Sequence, residues 1–159
     1  MRERIYLKIF LAILSCILLG SMPVLAAEKD FVELPQEKII IIPETESAVE
    51  VKDSPSLAGC NLGLGIASNG LQISFRTRAT QTADEIGVKE VVLQEKVWYG
   101  WKDIEVGGRC VYDSDMYAGG VVYTNAQKGT TYRVHCTHYA IFNGVELTLY
   151  GETSEFQYN

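Results

Sequence analysis

Cysteine and histidine supply the most reactive side chains in the part of the sequence that follows residue 27. Cys136 and His138 are two residues apart, so in a β-strand their side chains lie on the same face. A thiolate and an imidazole make up half of a tetrahedral zinc site. No C-x-x-C pair or second histidine pair accompanies them, so packing residues are the favoured interpretation. We therefore predict no metal and no cofactor.

The three cysteines beyond residue 27 are Cys60, Cys110 and Cys136, so at most one intrachain disulfide can form. All three pairings are open from the sequence. We prefer Cys110 with Cys136, because both lie in predicted strands and a disulfide needs Cα atoms about 5.5 Å apart. The alternative is that all three are small, buried apolar side chains.

Catalysis would need a nucleophile with a base, or paired acids with shifted pKa values. His135 or His138 could pair with an acid such as Asp103, but no nucleophile elbow, metal signature or phosphate loop accompanies them. We therefore predict no catalytic residue. The alternative function is a small extracellular hydrolase or metal-dependent enzyme that uses His135 or His138.

Aromatic side chains cluster at a predicted hairpin turn, at Trp98, Tyr99 and Trp101. Exposed aromatic rings suit stacking on a sugar or contact with a protein, because they add a large rigid area with a polar edge. Counting by two puts Trp101 on the polar face with Asp103, yet we favour a core position for it. For Trp98 the core and surface interpretations are evenly balanced.

A short acidic segment, Asp113-Ser114-Asp115, lies in a predicted loop that continues to Tyr117. Alternating acids can ligate Ca²⁺, but a full site needs about six or more oxygen ligands. Two carboxylates and a hydroxyl favour a solvated turn instead. The predicted binding residues are Trp98, Tyr99, Asp113, Asp115 and Tyr117.

The elements that must position these residues are β-strands. Leu71–Arg78 alternates between apolar and polar residues, and Asn69-Gly70 predicts a tight hairpin turn from a partner strand at Leu62–Ala67. Alternation also places one set of side chains on a single face of a later strand: Tyr132, Val134, Cys136, His138 and Ala140. Other strands are predicted at Lys89–Lys96, Trp101–Val106, Arg109–Tyr112, Val121–Thr124 and Val145–Tyr150.

About seven short strands without a helix predict an all-β fold, an antiparallel β-sandwich of immunoglobulin or fibronectin type III kind. Tyr132 follows the turn residues Lys128-Gly129, so we expect it to form the tyrosine corner of such a domain. About 100 residues suffice for a domain that folds on apolar burial alone.

Five short motifs carry a family resemblance: Thr80–Val88, Val92–Gln94, Trp101–Ile104, Tyr132–Val134 with His138–Ala140, and Gly144–Glu146. Their order and spacing resemble an uncharacterised family of small secreted proteins of Gram-positive bacteria, over about residues 60 to 156. The resemblance implies a signal peptide followed by one immunoglobulin- or fibronectin type III-like β domain. It implies no activity and no site residue.

The first 27 residues predict an export signal. Three basic residues precede a twelve-residue apolar run, Ile9–Gly20, and small residues allow cleavage after Ala26 or Ala27. The apolar run is well short of the ~20 residues that span a bilayer. We therefore expect a secreted protein, extracellular or associated with the cell envelope, that does not insert into the membrane after cleavage.

Charge excludes one class of partner. The whole chain has a net charge of −6, and removal of residues 1–27 lowers Lys+Arg from 14 to 11 and Asp+Glu from 20 to 19, which gives 11 − 19 = −8. A nucleic-acid-binding protein needs clustered lysine and arginine, so nucleic acid is not expected as a partner.

Residues 28–56 predict an acidic, extended linker, and residues 57–159 the folded domain. Residues 28–53 contain eight acidic residues and only three lysines, a composition typical of an extended segment. The one apolar run there, Ile39–Ile42, predicts an extra edge strand or a strand that docks on another protein.

Together these features predict an exported, non-catalytic binding or interaction module. Its expected partner is an unknown protein or a cell-envelope glycan. A third possibility is a partner-dependent subunit that docks through the strand at Ile39–Ile42.

Overall fold

The computed structural model describes residues 30–34 and 54–159. The predicted signal and the Ile39–Ile42 run lie outside the described residues. Eight strands form one antiparallel sheet: β1 Phe31–Glu33, β2 Leu57–Ala67, β3 Gly70–Val97, β4 Gly100–Glu105, β5 Arg109–Tyr123, β6 Thr130–Phe142, β7 Val145–Glu152 and β8 Phe156–Tyr158. The predicted all-β class is confirmed, and the described residues contain no helix.

Strand β3 is the centre of the sheet and is 28 residues long. The sequence predicted two separate strands here, but the structure continues the strand through residues 79–88. Strand β5 pairs with both halves of β3, β2 pairs with its first half, and β4 and β6 pair with its second half. Within the continued segment, Glu85–Val88 have backbone partners on both edges, in β5 and in β6, which keeps them extended.

A sharp bend in β3 turns the single sheet back on itself. Thr77 and Gly87 are ten residues apart, which in a straight strand would separate them by roughly 33 Å. The Thr77 hydroxyl nevertheless donates a hydrogen bond to the Gly87 carbonyl over 3.0 Å. The pairing of β3 with β5 shifts register between Arg78 and Ala83, which places the bend there.

The core lies between the two halves of the bent sheet. The face predicted from Leu71 to Thr77 is buried, as are all members of the face predicted on β6. These include Leu71, Ile73, Phe75, Tyr132, Val134 and Ala140. Both period-two predictions are therefore confirmed.

Hairpin turns join β2 to β3, β3 to β4 and β6 to β7, close to where the sequence placed them. Asn143 and Gly144 form the turn between β6 and β7, with φ of 50° and 79°. Positive φ at both positions fits the mirror-image turn whose twist matches that of paired strands. Between β2 and β3 the turn residues are Ser68 and Asn69, one residue earlier than expected.

Part of the predicted linker belongs to the sheet. Residues Phe31–Glu33 form the edge strand β1, which pairs with Val121–Tyr123 of β5. The ring of Phe31 lies 5.1 Å from that of Tyr123, so this short strand also adds an aromatic contact. The folded unit therefore contains residues that precede position 57.

Gly87 lies where β3 and β5 approach closely, so a substitution there tests the packing of the bent strand. A Cβ atom at this position would lie 2.1 Å from the Arg109 carbonyl oxygen and 2.7 Å from the Cys110 Cα. We expect Gly87→Ala to lower the free energy of unfolding by about 3 kcal/mol, because backbone atoms cannot move aside cheaply. Gly65→Ala is the matched control, since a Cβ atom there meets no atom within 4 Å. Urea unfolding of both variants makes the comparison, and equal losses would contradict the prediction.

Candidate functional site

Two aromatic side chains form the tip of the β3–β4 hairpin. Trp98 is 95% exposed and Tyr99 is 66% exposed. Their rings meet edge to face, with centroids 5.1 Å apart and planes at 89°. The balanced expectation for Trp98 is thus resolved in favour of the surface, and the tip presents an aromatic pair to solvent.

Trp101 lies on the outer face of the sheet, so the predicted core position is wrong. It pairs with Lys96 across the hairpin, and the lysine Nζ lies 5.2 Å from the centre of the indole ring. The Arg133 guanidinium carbon lies 4.4 Å from the same ring. Ile104 and its partner Leu93 take the inward positions instead, because side chains alternate along the strand.

A chain of polar contacts fixes Arg133 against this indole. The Arg133 Nε donates to Gln94 Oε1 over 2.7 Å, and Gln94 Nε2 donates to Asp103 Oδ1 over 2.6 Å. The other side of the guanidinium forms an ion pair with Glu152 over 3.0 Å. Four strands that are neighbours in the sheet, in the order β4, β3, β6 and β7, thus contribute to one polar network. This network holds the guanidinium in a defined orientation.

The same face continues onto β7. His135 lies beside Tyr150, with ring centroids 5.8 Å apart and planes at 31°. Tyr150 is 60% exposed, and its hydroxyl approaches a carboxylate oxygen of Glu152 at 3.5 Å. We call this surface the outer aromatic face, and define it by Gln94, Trp101, Asp103, Arg133, His135, Tyr150 and Glu152.

The predicted acidic loop is part of a strand. Asp113 and Asp115 lie within β5, beside the bend of β3, and Asp113 has a φ of 50°. The Ser114 hydroxyl donates to the Met116 carbonyl and accepts from its N–H. Asp113 and Asp115 are exposed, but the hairpin tip lies at the far end of β3, so the two groups are not brought together.

Tyr117 is a core residue and not a surface contact. It is buried in the apolar cluster, and burial raises the pKa of its phenol to about 12.

Within residues 30–34 and 54–159 no three His, Cys, Asp or Glu side chains are grouped so that they could hold a metal ion.

His138 forms a buried polar contact in the core. Its Nδ1 lies 2.7 Å from the Thr77 hydroxyl, which donates its own proton to the Gly87 carbonyl. With the Thr77 proton on the Gly87 carbonyl, Nδ1 carries the imidazole hydrogen and Nε2 accepts one from the Cys136 thiol at 3.5 Å. Burial lowers the pKa of His138 to about 4 and raises that of Cys136 to about 12, so both groups are neutral at pH 7.

The two histidines do not share a site. His135 lies on the outer aromatic face, whereas His138 lies in the core. Side chains alternate between the two faces of a strand, so two residues an odd number of positions apart point to opposite faces. Of the pair considered for zinc, His138 contacts Thr77 and Cys136 contacts His138, all within the core.

The sheet register separates the two cysteines predicted to pair. Cys110 pairs with Gly87, which pairs with Tyr139 on its other side, so Cys110 and Tyr139 share a face. Tyr139 is adjacent to His138, so the face that carries Cys136 is the opposite one. The structure holds no disulfide among Cys60, Cys110 and Cys136, and β3 lies between Cys110 and Cys136.

Sequence reasoning missed the outer aromatic face as a unit. The sequence contained part of the signal for this face. Arg133 and His135 alternate with the buried residues of β6, and Trp101 and Asp103 point away from the side of β4 that carries Ile104. What joins them is the register of four strands, which period-two patterns do not specify.

The buried imidazole predicts a loss of stability in acid. An unfolded chain binds a proton at the ordinary histidine pKa of 6.5, whereas folded His138 does so at about 4. Stability is therefore full above pH 6.5 and is lost as the pH falls from 6.5 to 4, by about 3 kcal/mol. We expect His138→Gln to lack this loss in urea unfolding between pH 7 and 4. His135→Gln is the control and should retain it; parallel curves for wild type and His138→Gln would contradict the assignment.

No protein-family model, curated protein or solved structure matches this chain. Among the described residues, no helix has the length and apolar character required to cross a membrane. Function is therefore inferred from the hairpin tip and the outer aromatic face.

Proposed function

We propose that the protein is exported and acts as a non-catalytic binding module whose ligand contacts the β3–β4 hairpin tip and the outer aromatic face. The observation that carries this proposal is the 95% exposure of Trp98. A tryptophan side chain offers roughly 200 Å² of area, and leaving it in water forgoes about 5 kcal/mol of burial. A ligand that covers the ring would recover part of that free energy.

The favoured ligand is a glycan of the cell envelope. Saccharide rings have apolar C–H faces that stack on aromatic rings, and hydroxyls that pair with amides, carboxylates and guanidinium groups. The Trp101 ring stacks with the Arg133 guanidinium, which is hydrogen-bonded to Gln94, and Tyr150 offers an exposed ring beside Glu152. The outer aromatic face therefore supplies both kinds of contact over an open sheet surface.

Charge favours a neutral glycan over an acidic polymer. On and beside the outer aromatic face, Arg133 is paired with Glu152 and Lys96 with Glu155. The net charge of the whole chain is −6, which opposes approach of a polyanion. Recognition would then rest on stacking and on hydrogen bonds.

The immunoglobulin- or fibronectin type III-like classification belongs to this proposal as well. It is supported by Tyr132, whose buried hydroxyl accepts a hydrogen bond from the backbone N–H of Gln127 over 2.9 Å. A contact from a tyrosine hydroxyl to the backbone a few residues upstream is the feature expected of a tyrosine corner. Unlike the separate sheets of such sandwiches, both layers here share β3.

Substitution of the hairpin tip tests the binding site. We expect Trp98→Ala to weaken retention of the purified protein on isolated cell wall of a Gram-positive host by about 10- to 100-fold, as for a central aromatic contact. Binding isotherms measured by depletion give the affinities. Tyr112→Ala is the matched control, because Tyr112 is 67% exposed on β5, away from the tip.

The same isotherms decide between ligand classes. Wall treated with protease should still retain the wild type if the ligand is a glycan, and soluble saccharide fragments of the wall should compete. Retention that protease abolishes would replace the glycan with a protein partner. Equal binding by Trp98→Ala and wild type would overturn the proposed site.

Fluorescence tests whether the outer aromatic face is part of the site. The chain contains two tryptophans, so in Trp98→Phe the emission reports Trp101, and in Trp101→Phe it reports Trp98. We expect saturating wall saccharide to shift the emission of both variants to shorter wavelength, because each indole leaves water. A shift at Trp98 alone would confine the site to the hairpin tip.

A further inference from the structure

Two cysteines approach the same buried contact from different strands. Cys60 lies directly opposite Thr77 in the pairing of β2 with β3, so the two side chains share a face. Thr77 points to His138 across a 2.7 Å hydrogen bond, and Cys136 lies 3.5 Å from the same imidazole. Both thiols therefore border the contact between Thr77 and His138.

Leu62 gives independent evidence that this part of β2 lies over β6. Leu62 is two residues from Cys60 and shares its face of the strand. A Cβ atom built at Gly151 would lie 3.1 Å from His138 Nε2 and 3.9 Å from Leu62 Cδ2. The inward face of β2 and the inward face of β6 thus meet at His138.

The bend in β3 is what brings β2 and β6 together. Strand β2 pairs with residues 70–79 of β3, and β6 pairs with residues 85–95. Electrostatics agree with the proximity of the thiols, since the charge of a Cys60 thiolate adds to burial in raising the pKa of Cys136.

We propose that Cys60 and Cys136 form a disulfide when the chain folds in an oxidising environment, and that Cys110 stays reduced. The bond would join β2 to β6 across the core and close a loop that contains the whole of β3. It replaces the Cys110–Cys136 pairing that the sequence favoured, in which the two thiols lie on opposite faces.

The oxidant is a small-molecule disulfide of the glutathione class, R–S–S–R. The Cys60 thiolate attacks one sulfur and expels the first R–S⁻, which takes up a proton as R–SH. The Cys136 sulfur then attacks the Cys60 sulfur of the mixed disulfide and expels the second R–SH. Two cysteine thiols are oxidised to one cystine, and one oxidant disulfide is reduced to two thiols.

Accessibility sets the order of these steps. Cys60 is half-buried and Cys136 is buried, so the first attack falls to Cys60. The raised pKa of Cys136 makes its thiolate scarce in the folded protein. The second step is therefore faster while the chain folds than after folding is complete.

Refolding followed by peptide mapping tests the pairing. The purified full chain is unfolded in urea, refolded in oxidised and reduced glutathione, alkylated and digested with trypsin. We expect tryptic peptide 53–76, which contains Cys60, to be linked to peptide 134–159, which contains Cys136. The cysteine of peptide 110–128 should carry the alkyl group, as should Cys16 in a chain that retains the export signal. A linkage to Cys110, glutathione retained on Cys60 as the end product, or alkylation of every thiol would each overturn the proposal.

Melting temperatures provide a second measurement. Closing so long a loop should raise the Tm of the oxidised wild type above that of the reduced protein by about 10 °C or more. Cys60→Ser and Cys136→Ala should lose this redox-dependent shift, and Cys110→Ser should keep it. A shift that follows Cys110 would contradict the proposal. Neither measurement depends on the ligand, so failure here leaves the proposed binding function separately testable.

Discussion

The bend of β3 is the constraint on which the rest of the structure depends. A 28-residue strand would be roughly 90 Å long if straight, whereas a domain of about 100 residues has a radius of gyration near 13 Å. The strand must fold back, and the Thr77 hydroxyl then meets the carbonyl of Gly87 from the other half of the same strand. Most apolar residues of the two inner faces are buried or pack against the buried cluster as a consequence of that reversal.

The bend also determines which chemistry is left at the surface. Residues that face inward near it, including Thr77, Cys136 and His138, satisfy one another and are removed from solvent. The outer side of the second half of β3 remains open, so β4, β6 and β7 contribute polar and aromatic side chains to one continuous face. The same strand pairing therefore determines both which side chains form the core and which form the candidate binding surface.

Period-two alternation correctly predicted one buried face of β6, because that pattern depends on burial alone, although Tyr139 is also buried, on the other face. It failed where a strand continues through polar residues. Residues 79–88 lay outside the predicted strands but belong to β3, and Asp113–Asp115 were predicted as a loop but belong to β5. The two segments meet at the bend, where the register of β3 with β5 shifts and Ala83 pairs with Ser114, and local sequence does not reveal that pairing. The positions of Trp101 and Cys110 depended on register, which a single sequence does not specify.

A buried histidine at the bend is explained by what that contact requires. The Thr77 hydroxyl has one proton, which it gives to the Gly87 carbonyl, so its partner must donate a hydrogen to it without bringing a charge into the core. A neutral imidazole does this with Nδ1 and, in the reduced protein, still offers Nε2 to the Cys136 thiol. A lysine or arginine would donate but would bury a charge, and an apolar side chain would leave the hydroxyl one partner short. The same pairing that first suggested a metal ligand or a catalytic base is therefore accounted for by the geometry of the bent strand.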